Sequence, residues 1–156
     1  MSRKRIIALL IAIVIIGGAA WGIKVYFDVQ AHNAYLASPD RKADQLLADL
    51  TTGNYQDAYN NLYSARMKAN YSLDYWKNTD QIYPSLKGYN GAPKLVSKQL
   101  ANDANPSQPK PYSDDVSAEQ YVYDFNLNSL TYRVTFVVVM FQGSWQVSEL
   151  EGAYQK

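Results

Sequence analysis

Thr131–Leu150, TYRVTFVVVMFQGSWQVSEL, is the stretch whose reading decides the fold. Thr131–Gln142 is rich in β-branched and aromatic residues, which suit a pleated, packed surface. Toward its end it is apolar at consecutive positions, so both faces are expected to be covered and the strand to be central in its sheet. Gly143-Ser144 fits a two-residue hairpin loop with glycine first. Trp145–Leu150 then returns as the last strand.

Working outward, Tyr121, Tyr123, Phe125 and Leu127 alternate with Val122, Asp124 and Asn126, the two-residue period of a strand. Asn102–Asp115 contains Pro106, Pro109 and Pro111 among polar residues and reads as a surface loop. Lys94–Ala101 (KLVSKQLA) is the expected first strand. Before Lys87 the period becomes helical. Ser38 caps and Pro39 begins a helix to about Thr52, with Ala43, Leu46, Leu47 and Leu50 on one stripe. Gly53 ends it, and Asn54 caps a second helix with Tyr55, Ala58, Tyr59, Leu62 and Tyr63 at the same spacing. A third helix is expected from near Ser72, carrying Leu73, Tyr75, Trp76 and Ile82 and ending by Pro84. About three helices on one face of a curved antiparallel sheet of about four strands make an α+β domain.

The other end of the chain places this domain. Ile6–Ile23 (IIALLIAIVIIGGAAWGI) has no charged residue and follows Arg3, Lys4 and Arg5. As a helix its eighteen residues extend roughly 27 Å, enough for a bilayer core of about 30 Å. Residues 1–23 are therefore read as a basic cytoplasmic tip and transmembrane signal anchor, with Ile6, Leu9, Ile13, Ile16, Trp21 and Ile23 along the lipid-facing segment. Gly18-Ala19-Ala20 offers small residues to a signal peptidase, but the run is long for a cleaved signal. Residues 24–37 continue as a helical stalk, and residues 38–156 form the extracytoplasmic domain. The expected location is the cell membrane, with one pass and the C-terminal domain outside.

Composition narrows the chemistry. Net charge is +1; without Arg3, Lys4 and Arg5, 12 basic residues face 14 acidic ones, a net charge of −2. Such a domain is not built to hold nucleic acid. Cysteine is absent, which removes disulfides, thiolate ligands and thiol nucleophiles. His32 is the single histidine, so one chain cannot build a histidine triad or a multi-histidine metal site. There is no phosphate loop and no dinucleotide glycine pattern, and no cofactor is expected. Asp114, Asp115 and Glu119 do not match the spacing of a calcium loop.

Two motifs carry a resemblance. Gly53-Asn54-Tyr55-Gln56-Asp57-Ala58-Tyr59 matches G-[DN]-Y-x-x-A-Y, and Gly143-Ser144-Trp145-Gln146-Val147 matches G-x-W-x-[VI]. With the order of elements, Ser38–Tyr154 resembles the nuclear transport factor 2-like, cystatin-like cone fold, in particular its small membrane-anchored extracytoplasmic members. The resemblance implies a cone of helices against a curved sheet. Its motifs mark turns and packing and assign no activity. Enzymes of that fold hold a carboxylate base and tyrosine donors inside the cone, roles that map to no particular position of this chain. Asp124 is the nearest carboxylate, and it alternates away from the aromatic face.

The expected function is an anchored interaction or assembly module without catalysis. It would bind membrane lipid through the N-terminal helix, and an envelope protein or a second copy of itself through the outer domain. The alternative is an apolar-ligand binder using the cone. Tyr59, Tyr75, Trp76, Tyr123, Arg133 and Trp145 are the candidate pocket or interaction residues. A pilin-like subunit is a further reading, but no glutamate occurs before Glu119, where pilins carry one early in the apolar segment.

Overall fold

The computed structural model describes residues 21–103, 112 and 116–155. The chain divides into two compact units after Ala37. In the first, residues 21–36 form helix α1, which carries Trp21, Ile23, Tyr26 and Phe27 exposed. Ile6, Leu9, Ile13 and Ile16 of the expected span lie outside the described residues. Among the described residues, no helix is long and apolar enough to cross a membrane.

The second unit begins at α2 (Pro39–Thr52). Pro39 occupies its first turn, where a missing N–H costs nothing. Ala43, Leu46 and Leu50 form its buried stripe. Gly53 ends it with φ 76°, and the Asn54 N–H closes on the Asp49 carbonyl at 2.8 Å. A side chain at Gly53 would also collide with Lys87. Helix α3 (Tyr55–Asp57) widens directly into a π-helical turn, Ala58–Leu62, closed by Tyr63 N–H on the Ala58 carbonyl.

The expected third helix is broken into pieces. Helices α4 (Ala65–Asn70), α5 (Leu73–Asn78) and α6 (Ile82–Leu86) replace it. Three polar side chains cause this, each accepting an N–H at a helix start: Ser64 from Met67, Ser72 from Tyr75 and Asp80 from Tyr83. Pro84 does not end a helix. It stands in the first turn of α6, where no intrahelical donor is lost. Five helices, rather than about three, therefore accompany the sheet among the described residues of this unit.

The sheet is antiparallel with order β1-β2-β3-β4 (Lys94–Leu100, Ala118–Leu127, Leu130–Phe141, Ser144–Gln155). The last hairpin differs from expectation by one residue. Phe141 pairs with Ser144, so the loop is Gln142-Gly143, with φ 49° and 78°. Both central residues are left-handed, the conformation that matches strand twist, and glycine takes the second place. The expected loop at 102–115 falls largely outside the described residues; Ala101–Asp103 forms a short 3-10 turn.

Strand alternation sorts the core. Tyr121, Phe125, Tyr132, Val134, Phe136, Val138, Val147 and Leu150 meet the helices. On the opposite face, Val137 and Val139 join Ala101 and Ala118, with Tyr112 and Val116 packed on them. This second cluster is why the end of β3 is apolar at consecutive positions. One bulge at Val96 and another at Ser148 interrupt the ladders.

Candidate functional site

The space between helices and sheet is filled by aromatic rings. The Tyr63 and Tyr83 hydroxyls lie 2.7 Å apart and are both buried. Trp76 stands between these rings, 5.0 Å from Tyr63 and 6.2 Å from Tyr83. Tyr63 arrives through the π-helical turn and Tyr83 through α6. Burial pushes both phenols above their ordinary range, so each stays neutral and able to donate.

Two carboxylates border this cluster. Asp49, on the buried side of α2, is 8% exposed. Burial, reinforced by the negative charge of Asp57, raises its pKa to about 6. Its Oδ2 has no hydrogen-bond partner among the described residues. Asp80 is 6% exposed. Burial raises its pKa too, while the N–H groups of Tyr83, Ile82 and Gln81 pull it back.

A cavity of about 450 Å³ opens where α5 and α6 meet the ends of β3 and β4. Tyr71, Tyr75, Trp76 and Tyr132 line it, with Asp80. Tyr75 and Trp76 meet at 87°, forming a corner, and Tyr71 lies 4.8 Å from Tyr75. Gly152 leaves room for the Tyr132 hydroxyl, which a Cβ would meet at 2.6 Å.

The six candidate residues do not form one site. Tyr75 and Trp76 share the cavity. Tyr59 is half-buried, 6.4 Å from Tyr63, with the Lys68 ammonium over its ring. Tyr123 stacks on Phe136 on the helix face of β2. Trp145 packs half-buried against the same core. Arg133 is on the other face, bidentate to Asp124 at 2.7 and 2.8 Å. Asp124 is therefore a paired carboxylate, held below its ordinary pKa by that guanidinium.

Sequence reasoning missed Asp49 and Asp80. Asp49 lies three positions after Leu46, an acid on an apolar stripe. Asp80 lies three before Tyr83, the spacing of an N-cap. Either spacing was a usable signal.

A third feature is the free edge of the sheet. Among the described residues, strand β1 ladders with β2 alone. Its register places Leu95 opposite Tyr123 and Leu100 opposite Glu119, on the helix face. Yet Leu95 is 47% and Leu100 59% exposed, and the bulge residue Val96 is 44% exposed. The apolar face of the sheet thus extends past its helices to an open edge. Lys98 anchors this strand through Asp40 at 2.7 Å and Glu119 at 3.1 Å, and Tyr121 donates to both carboxylates.

Compared with known proteins, the chain matches no family model, no curated protein and no solved structure.

Proposed function

We propose that this chain is a single-pass, membrane-anchored extracytoplasmic interaction module without catalytic activity, built on a nuclear transport factor 2-like domain. Ile6–Ile23 holds it in the membrane, and residues 38–156 face outward. The partner is another envelope protein that adds an extended segment to β1. The observation that carries this reading is the open edge with Leu95, Val96 and Leu100 exposed beside it. An edge strand offers unpaired N–H and C=O groups as a template, and neighbouring side-chain pockets give selectivity. Lys94, Lys98 and the bulge at Val96 are devices that discourage indiscriminate pairing, which suits a selective partner. The aromatic filling of the interior supports recognition on the outside rather than in a deep cone pocket.

The test is a photoreactive amino acid at Val96 in the full-length chain, activated in native membranes, with mass spectrometry of the adducts. The expected result is one reproducible envelope partner, lost in a Leu95→Glu/Leu100→Glu variant that still folds. Adducts to a second copy alone would replace the envelope partner with self-association. A partner retained by the double variant would remove β1 from the account.

A further inference from the structure

We propose that the cavity between α5, α6 and the ends of β3 and β4 binds a small organic ammonium ion. It is a second site, independent of the β1 edge.

Four aromatic residues contribute to its walls, and its buried charge is negative. Tyr71, Tyr75, Trp76 and Tyr132 line it with Asp80 and Glu151, and among the described residues no lysine, arginine or histidine does. The faces of such rings are electron-rich and attract cations, most strongly once water is displaced. Tyr75 and Trp76 meet edge to face, with Tyr71 beside them; Trp76 is buried behind them, so Tyr71 and Tyr75 offer the accessible ring surface. Several rings around one cation is the arrangement that recognises quaternary and methylated ammonium groups.

Asp80 supplies the counter-charge. It is nine-tenths buried, and its partners among the described residues are the backbone N–H groups of Gln81, Ile82 and Tyr83, which carry no full positive charge. Tyr75 feels this carboxylate, which helps to push its phenol upward. The site favours an organic cation over a metal ion. Hard metal ions require several oxygen ligands at short range, and among the described residues no group of acids or histidines is placed to hold one. Trp76, which lines it, also has a buried Nε1–H without an acceptor among the described residues. The volume of about 450 Å³ is within the usual range for small-molecule sites.

The experiment uses the full chain in maltoside micelles with ¹⁵N-labelled indoles. Trp76→Phe assigns the Trp76 resonance. Choline is titrated against 3,3-dimethylbutan-1-ol, which has the same shape without the charge. N-acetyl-lysine amide is the third arm. The expected result is a saturable shift of the Trp76 resonance with an ammonium compound, and binding of the neutral isostere at least about tenfold weaker. Tighter binding of choline points to a free or headgroup ammonium, and tighter binding of the lysine derivative to a protein side chain. Asp80→Asn keeps an acceptor for the helix start and removes the buried charge, leaving only the exposed Glu151, so it should sharply reduce the preference over the isostere. Tyr71→Leu, at an exposed ring, should weaken ammonium binding while leaving the fold intact. Equal response to the isostere, no response to any compound, or unchanged selectivity in folded Asp80→Asn would overturn the proposal.

Discussion

The two edges of the sheet have been treated differently. On β4, the Ser64 N–H donates to the Val147 carbonyl at 2.8 Å, and Tyr63 forms an isolated parallel bridge with Val147. Val147 is fully buried beneath this cover. On β1, neither Leu95 nor Leu100 is covered, although both stand on the same face of the sheet as Val147. At Val147 a backbone carbonyl and an apolar side chain of one edge strand are satisfied within the chain. At the other edge they are presented outward. The difference separates the part of the sheet that stabilises the fold from the part proposed to recognise a partner.

The largest expected effect comes from breaking the covered edge. Val147→Asp buries an unpaired charge and should destabilise the chain by on the order of 4 kcal/mol in chemical denaturation. Val96→Asp, the matching change on β1, should stay within about 0.5 kcal/mol while removing partner capture. Comparable losses at both positions would erase the distinction between the edges.

Asp49 tests the cover of β4 from behind, since its charge acts on Tyr63 and Tyr83. Its folded pKa of about 6 lies above the ordinary 3.8. The folded state therefore binds this proton more tightly than the unfolded state does. The resulting stability is fully present below about pH 4 and is lost as the pH rises to and through about 6. The shift of about two pH units corresponds to about 3 kcal/mol. Asp49→Asn should flatten this stretch of the stability profile and stabilise the chain at pH 8 by up to that amount. At pH 4 it should change little. A wild-type profile already flat between pH 4 and 7 would contradict the raised pKa that burial gives this carboxylate.

Smaller effects sharpen the comparison. Tyr83→Phe leaves the buried Tyr63 hydroxyl without its partner and should cost about 1–2 kcal/mol. Arg133→Gln, on the far face, should cost less than Tyr83→Phe despite its bidentate geometry, because the guanidinium is solvated. Thermal unfolding of the two variants side by side measures the order.

Much of the framework was legible. Ser38-Pro39 and Gly53 mark both ends of α2 through backbone rules that need no partner. Period-two alternation gave β2, and the doubly apolar run gave β3. The hairpin slipped by one residue because glycine was placed first in the loop, whereas the left-handed Gln142 precedes it. The helix breaks at Ser64, Ser72 and Asp80 were hidden because each depends on a polar side chain choosing a local N–H over solvent. The Asp124–Arg133 pair was readable in principle. Once Leu127 and Leu130 flank a two-residue loop, counting back three on each strand places these residues opposite each other. The Tyr63–Tyr83 contact and the cavity at α5 and α6 depend on how several short helices settle on the sheet, which no local pattern encodes. The exposure of Leu95 and Leu100 is likewise a tertiary fact: five positions apart, they share a face only through the bulge at Val96, and their exposure depends on how far the helices reach across the sheet.

The most direct test is amide hydrogen exchange of the full-length chain, purified alone and in the complex captured through Val96. Residues 94–100 should exchange readily in the isolated chain and gain strong protection in the complex, while the protection of Val147 is already high and stays unchanged. Unchanged exchange across residues 94–100, with new protection elsewhere, would show that the partner does not dock on β1.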